Sequence, residues 1–202
     1  MNRYEIHAIG LGGMGVIQLS KLITRAAVMH ENKLAVQTEA YSQSARGGKA
    51  WADVVIELDN VETMIDYPKA LSPYDFLFVL SEEAARDTRK DDLKPGGWCL
   101  WDPSIISRFK TASKFASMAL PAQEIAVREF GEVVIGSSIL YGAFTSLSGV
   151  IGKEAALAVL GDAVPGSKLD INTCAFERGY ELAEARKQEP RIPEKDAADK
   201  EA

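Results

Sequence analysis

Residues 4–27 read YEIHAIGLGGMGVIQLSKLITRAA, and this stretch decides the fold. Residues 4–9 make a short strand that runs straight into Gly10, Gly12, Gly13 and Gly15. Beyond the glycines, Val16, Leu19, Leu22, Ile23, Ala26 and Ala27 recur at three- and four-residue spacing, with Gln18, Lys21 and Arg25 on the opposite face. That is the period of a helix with one buried side. The unit is therefore strand, tight loop, helix.

Working outward, residues 34–41 predict a second strand, followed by the polar loop SQSARGG (42–48) and a third strand, KAWADVVIEL (49–58). Trp51, Val54 and Ile56 are its core candidates. No helix separates the second and third strands, so the two are expected to be antiparallel neighbours or a strand pair bridged by a long loop. DFLFVL (75–80) is the continuous apolar run of a strand buried on both faces. Ser81 is a fitting N-cap for an acidic first turn, and that helix is expected to run to about Lys90. Pro95-Gly96-Gly97 predicts a turn, residues 98–101 a strand closed by Asp102-Pro103, and residues 113–120 another strand.

Pro121 starts a helix that Gly131 ends, and residues 139–150, 154–160 and 171–187 form three further helices separated by Gly152 and by residues 161–166. The order predicts an α/β layered domain over residues 1–187: a mostly parallel sheet flanked by helices, one antiparallel strand pair, and a helical C-terminal part. Residues 188–202, QEPRIPEKDAADKEA, are charged and contain two prolines, with almost nothing to bury. Such a tail is either disordered or an arm along a partner subunit, with Ile192 as its anchor.

Composition narrows the function. The chain has 202 residues, 47% of them hydrophobic, enough for one domain with its own core. Its 23 basic against 29 acidic side chains, net charge −6, lack the cationic stripe of a nucleic-acid partner. Two cysteines, Cys99 and Cys174, 75 positions apart with no CxxC pair, and two histidines do not give the ligand pattern of a zinc or iron–sulfur site on this chain. Sparse cysteine without a cationic apolar leader points to the cytoplasm, and no apolar run reaches the roughly 18 residues of a membrane span.

The loop Gly10-Leu11-Gly12-Gly13-Met14-Gly15 fits G-x-G-x-x-G between a strand and a helix, where free N–H groups favour an anion such as a dinucleotide pyrophosphate. Glu39, at the end of the second strand, stands near the roughly 20-residue offset of a ribose-binding acid. Against a dinucleotide stands the absence of a crossover helix after Glu39. Three readings stay open: an NAD or FAD site on a stand-alone oxidoreductase, another anion site, and a tight strand-to-helix turn that only packs. The second loop, Tyr41 to Gly48, holds Ser44 and, in Arg46, a single charge beside Gly47 and Gly48. Its guanidinium suits bidentate contact with a carboxylate or phosphate, or it is simply solvated. No nucleophile is paired with a base, so no catalytic residue is assigned; His7 reads as a satisfied strand histidine, and Cys99 and Cys174 as small buried hydrophobes.

Three ordered segments together carry a resemblance. IGLGGMGVIQLSKLITRAA, TEAYSQSARGGKAWADVVI, and the stretch from Ile65 through SPYDFLFVLSEEA to LKPGGWCLWD resemble the signatures of the gamma subunit, or gamma domain, of the 2-oxoacid:ferredoxin oxidoreductases. The resemblance covers about residues 5 to 185. It implies a multisubunit enzyme that oxidatively decarboxylates a 2-oxoacid with coenzyme A to an acyl-CoA and CO2, passing electrons to ferredoxin.

By the same resemblance, thiamine diphosphate, Mg2+ and [4Fe-4S] clusters belong to alpha, beta and ferredoxin-like delta subunits, with none held by this chain alone. The two loops then face those partners, and Arg46 meets a carboxylate or an anionic part of CoA. Met14 stands where the family usually has Gln, and GEVVIGSSILYG (131–142) lacks an Asn common there. These departures suggest a divergent branch acting on an aryl 2-oxoacid such as phenylglyoxylate, with NAD reached through a flavin subunit.

Overall fold

The computed structural model describes residues 2–42, 48–59 and 64–189. Strands β1 (Arg3–Leu11), β2 (Ala35–Tyr41), β3 (Lys49–Glu57), β4 (Tyr74–Leu80), β5 (Leu93–Trp101) and β6 (Ser117–Ala119) form one sheet in the order β2-β3-β1-β4-β5-β6. β1, β4, β5 and β6 run parallel. β3 is the reversed strand. It pairs antiparallel with β2, as expected of two strands joined without a helix, and also with β1.

Six helices accompany the sheet: α1 (Val16–Met29), α2 (Glu82–Asp87), α3 (Ala122–Phe130), α4 (Gly136–Ser148), α5 (Lys153–Ala163) and α6 (Gly166–Lys187). The strand period of two splits the central strands β4 and β5 between two cores. Ile6, Val54, Ile56, Phe76, Phe78 and Leu100 face the helices, where they meet Leu19 and Ile23 of α1, Phe144 of α4 and Phe176 of α6. Phe144 packs edge-on to Phe76 with ring centres 4.8 Å apart. On the other face a smaller cluster joins Leu77, Val79 and Cys99 to Ala84, Phe109 and Phe115. The DFLFVL strand is accordingly buried on both sides. Among the described residues no helix is long and apolar enough to cross a membrane.

Several local expectations are corrected. α2 stops at Asp87 because Thr88 turns extended and its hydroxyl donates to the Ala84 carbonyl at 2.7 Å, closing the last turn. Residues 113–120 give a 3-10 turn, Ala112–Lys114, before a strand of only three residues. Gly161 lies inside α5. The break falls at Val164-Pro165, because a residue preceding proline is pushed out of helical backbone. Trp51 is only half-buried, being on the face of β3 that α1 does not cover. Cys174 is exposed, since the inward stripe of α6 is Asn172, Ala175, Phe176, Gly179 and Ala183.

Candidate functional site

The glycine loop lies at the C-terminal edge of the parallel strands, and its first and last glycines answer specific packing demands there. Gly10 is still in β1, where an added Cβ would stand 2.7 Å from Val16 Cγ2 and 3.2 Å from Leu80 Cβ. Gly15 has φ 76 and caps α1, and its own Cβ would stand 2.8 Å from the Cβ of Ser137. A side chain at either position would push α1 off the sheet or off α4. Between them the Met14 N–H donates to the Leu11 carbonyl at 3.1 Å, which closes the turn.

The structure brings the two signature loops together. The N–H of Gly12 donates to the carbonyl of Gly48 at 2.9 Å, tying the glycine loop to the end of the second loop. Gly12 and Gly13 are exposed, and Tyr41, at the head of that second loop, is exposed as well. Ser44, Arg46 and Gly47 lie outside the described residues. Glu39 is not part of this arrangement. β3 stands between β2 and β1, and Glu39 is paired with Lys21 of α1 at 3.4 Å and accepts from Gln37 at 3.1 Å. A ribose-binding acid would have to stand on a strand adjacent to β1.

Behind the loop is a small cleft of about 80 Å³, lined by Met14, Gly15, Gln18, Gln123, Val134 and Ser137 among others. Ligand pockets usually hold roughly 300–1,000 Å³, so the cleft does not take a dinucleotide. Three helices begin on it. α3 has no capping side chain of its own, and the buried Asp102 serves instead: its Oδ2 accepts the Gln123 N–H at 3.0 Å while its Oδ1 accepts from the Ser104 N–H and hydroxyl at 2.8 and 2.5 Å. α1 and α4 carry no acidic residue in their first turns. The cleft thus holds the start of α1, which has no capping side chain, and the start of α4, which continues a 3-10 turn, beside one satisfied carboxylate.

Sequence reasoning read Asp102 only as a strand end, and did not single out Gln123, Ser137, Val133 or Val134. Val133 and Val134, 54% and 65% exposed, form an apolar rim next to the cleft. The one visible signal was the apolar pair in GEVVIG, which no helix period explains.

Elsewhere, His7 lies opposite Asp53 across the β1/β3 pair, with Nδ1 2.5 Å from Asp53 Oδ1 and its ring stacked on Tyr74 at 4.7 Å. It is a satisfied strand histidine. Cys99 is fully buried and burial pushes its thiol far up, which leaves it unreactive. Among the described residues no three His, Cys, Asp or Glu side chains are grouped to hold a metal ion. Two cysteines on separate elements, one buried and one exposed, do not fit an iron–sulfur cluster.

The site is thus a six-stranded sheet with β3 reversed and two glycine loops joined at its C-terminal edge. Residues 5–182 match the pyruvate ferredoxin/flavodoxin oxidoreductase family, and the chain belongs to it. It is 37% identical over 182 residues to the 2-oxoglutarate synthase subunit KorC of Methanocaldococcus jannaschii, covering 90% of this chain and 94% of that protein. The KorC subunit of Methanothermobacter thermautotrophicus is 36% identical over 185 residues, covering 89% of this chain and 95% of that protein.

Among solved structures, the gamma subunit of a keto/oxoacid ferredoxin oxidoreductase from Geobacter sulfurreducens superposes with a TM-score of 0.76 at 30% identity, covering 90% of this chain and 99% of that one. The chain is a gamma-type subunit of a 2-oxoacid oxidoreductase. The stand-alone nucleotide-binding reading is not favoured, because β3 separates Glu39 from the glycine strand and the cleft is small.

Proposed function

We propose that this chain completes a CoA-acylating 2-oxoacid:ferredoxin oxidoreductase and that the acid oxidised by its complex is 2-oxoglutarate. The observation that carries the reading is the match along almost the whole length of proteins named 2-oxoglutarate synthase subunit KorC. Those names support 2-oxoglutarate over an aryl acid, and the ferredoxin in the names of the matched family and of the Geobacter gamma subunit supports that acceptor over NAD through a flavin subunit. The thiamine diphosphate, Mg2+ and [4Fe-4S] clusters of such a complex are then carried by its alpha, beta and delta or ferredoxin-like subunits.

In this reading the glycine loop and the loop from Tyr41 to Gly48 face the catalytic subunits. Three features support it: the bond between Gly12 and Gly48, the start of α1 without a capping side chain, and the exposed Val133 and Val134. Arg46 is assigned to a partner carboxylate or an anionic part of CoA. The test is anaerobic purification of the tagged chain from its own host, followed by native mass spectrometry and CoA-dependent assays on 2-oxoglutarate, pyruvate and phenylglyoxylate with ferredoxin and with NAD. A brown assembly that releases thiamine diphosphate and prefers 2-oxoglutarate with ferredoxin is expected. A colourless chain recovered alone overturns the subunit role, and preference for phenylglyoxylate overturns the substrate. In Arg46→Ala, unchanged assembly and an unchanged KM for CoA would remove that residue from the proposal.

A further inference from the structure

The last strand of the sheet has an open side. Cys99 donates to the Ala116 carbonyl and Leu120 to the Trp101 carbonyl, both at 2.9 Å, so alternate residues along β6 turn their backbone groups toward β5. Ser117 and Ala119 then turn theirs away from the sheet. One of these outward groups is engaged by the chain itself: Arg186 Nε donates to the Ser117 carbonyl at 3.0 Å. Next to this edge runs a groove of about 680 Å³, lined by Trp101, Phe109 and Met118 and by Leu182, Arg186 and Glu189 from α6 and the residues after it. Such an edge flanked by large apolar side chains is a template for pairing with another chain unless something covers it.

We propose that the groove is the docking site of this chain's own C-terminal segment, residues 190–202, with Ile192 as the side chain that enters it. Glu189 is both a wall of the groove and the last described residue, so Pro190-Arg191-Ile192-Pro193 begins at its mouth. A segment tethered there is present at an effective concentration on the order of millimolar, and a weak contact is enough to hold it. Its reach is adequate. Three residues of β6 span roughly 10 Å at about 3.3 Å each, and four extended residues cover about 13 Å.

The sequence of the segment also suits the place. Proline is tolerated on a sheet edge because it holds an extended φ and its missing N–H costs no ladder bond there. Ile192, between the two prolines, keeps its own N–H and carbonyl for the outward groups of β6. After Pro193 the remaining residues, EKDAADKEA, contain nothing large and apolar, so burial ends where the groove ends.

The test compares amide hydrogen exchange in three forms of the protein: the full chain, the chain truncated after Glu189, and full-length Ile192→Asp. The amides of Ser117 and Ala119 are expected to exchange about tenfold faster in the truncated and Ile192→Asp forms, while those of Phe76 to Leu80 stay equally protected and report an intact core. A peptide of residues 190–202 added to the truncated chain should restore slow exchange, and the same peptide carrying Ile192→Asp should not. Equal exchange at Ser117 and Ala119 in all three forms overturns the proposal. So does protection that depends on bound subunits and is indifferent to the tail, which would give the groove to a partner.

Discussion

The carbonyl oxygen of Phe176 stands 1.9 Å from where a Cβ on Gly142 would be, and the carbonyl of Ile139 stands at the same distance from a Cβ on Gly179. α4 and α6 therefore meet backbone to backbone, each glycine admitting the other helix. Gly142→Ala is expected to cost about 3 kcal/mol or more, since a rigid carbonyl cannot retreat as a side chain can. Gly161→Ala is the control: nothing lies near that position in α5, and exchanging a helical glycine for alanine is expected to stabilise by up to about 1 kcal/mol. Urea unfolding of the two variants checks both signs.

Asp102 links the end of β5 to the start of α3 across the cleft. Asp102→Ala leaves the N–H groups of Gln123 and Ser104 without their acceptor, at an expected cost of about 1–3 kcal/mol. Asp102→Asn keeps an oxygen for one of the two and should lose less. The ordering of the two variants in thermal unfolding distinguishes a capping carboxylate from one that merely fills space.

Gly12 and Gly15 should separate folding from assembly. A Cβ at Gly12 meets only the Gly48 carbonyl at an ordinary 3.6 Å, so Gly12→Leu is expected to change stability by no more than about 0.5 kcal/mol. It should nonetheless reduce co-purification of the other subunits, because the side chain projects from an exposed loop. Gly15→Ala is expected to lose stability itself, from the positive φ and the contact with Ser137. Pull-down yield set against unfolding midpoint for each variant measures the two effects independently.

Alkaline pH should weaken the fold through Tyr74. Burial pushes its phenol up to about 12, with the Asp53, Asp92 and Glu5 carboxylates adding to the shift. Unfolded tyrosine titrates near 10, so the unfolded chain releases this proton first as pH rises. Stability from Tyr74 is therefore complete below about pH 10 and is lost progressively up to about 12. Urea midpoints at pH 9 and 11.5 should fall in the wild type, and Tyr74→Phe should remove part of that fall. Tyr141, also raised by burial, keeps its own share in that variant.

The strand, glycine turn and helix of the candidate site are legible in residues 4–27, because a glycine-rich turn between a strand and a helix is local chemistry. The helical period of α1 named its buried face: Val16, Leu19, Leu22, Ile23, Ala26 and Ala27 are all in the core. Ser81 caps α2 through its hydroxyl, which accepts the Ala84 N–H at 3.1 Å, and Gly131 ends α3 with φ 77. Each of these depends on neighbours within four residues.

What sequence could not supply was partnership across distance. The spacing from Gly15 to Glu39 suggested a ribose acid, and only the insertion of β3 between β2 and β1 showed Glu39 bound to Lys21 instead. Cys174 looked like a core residue until the close packing of Gly142 and Gly179 fixed the rotation of α6 and turned it to solvent. Asp102 became a helix cap because α3 begins, far along the chain, where β5 ends. The sequence by itself determined the order in which strands and helices alternate, through local hydrogen bonding and hydrophobic period, although the ends of α2, β6 and α5 were not legible in it. The tertiary structure alone decided strand neighbours, helix rotation and which loops meet, because those are set by long-range packing in which each side chain's partner lies on another element.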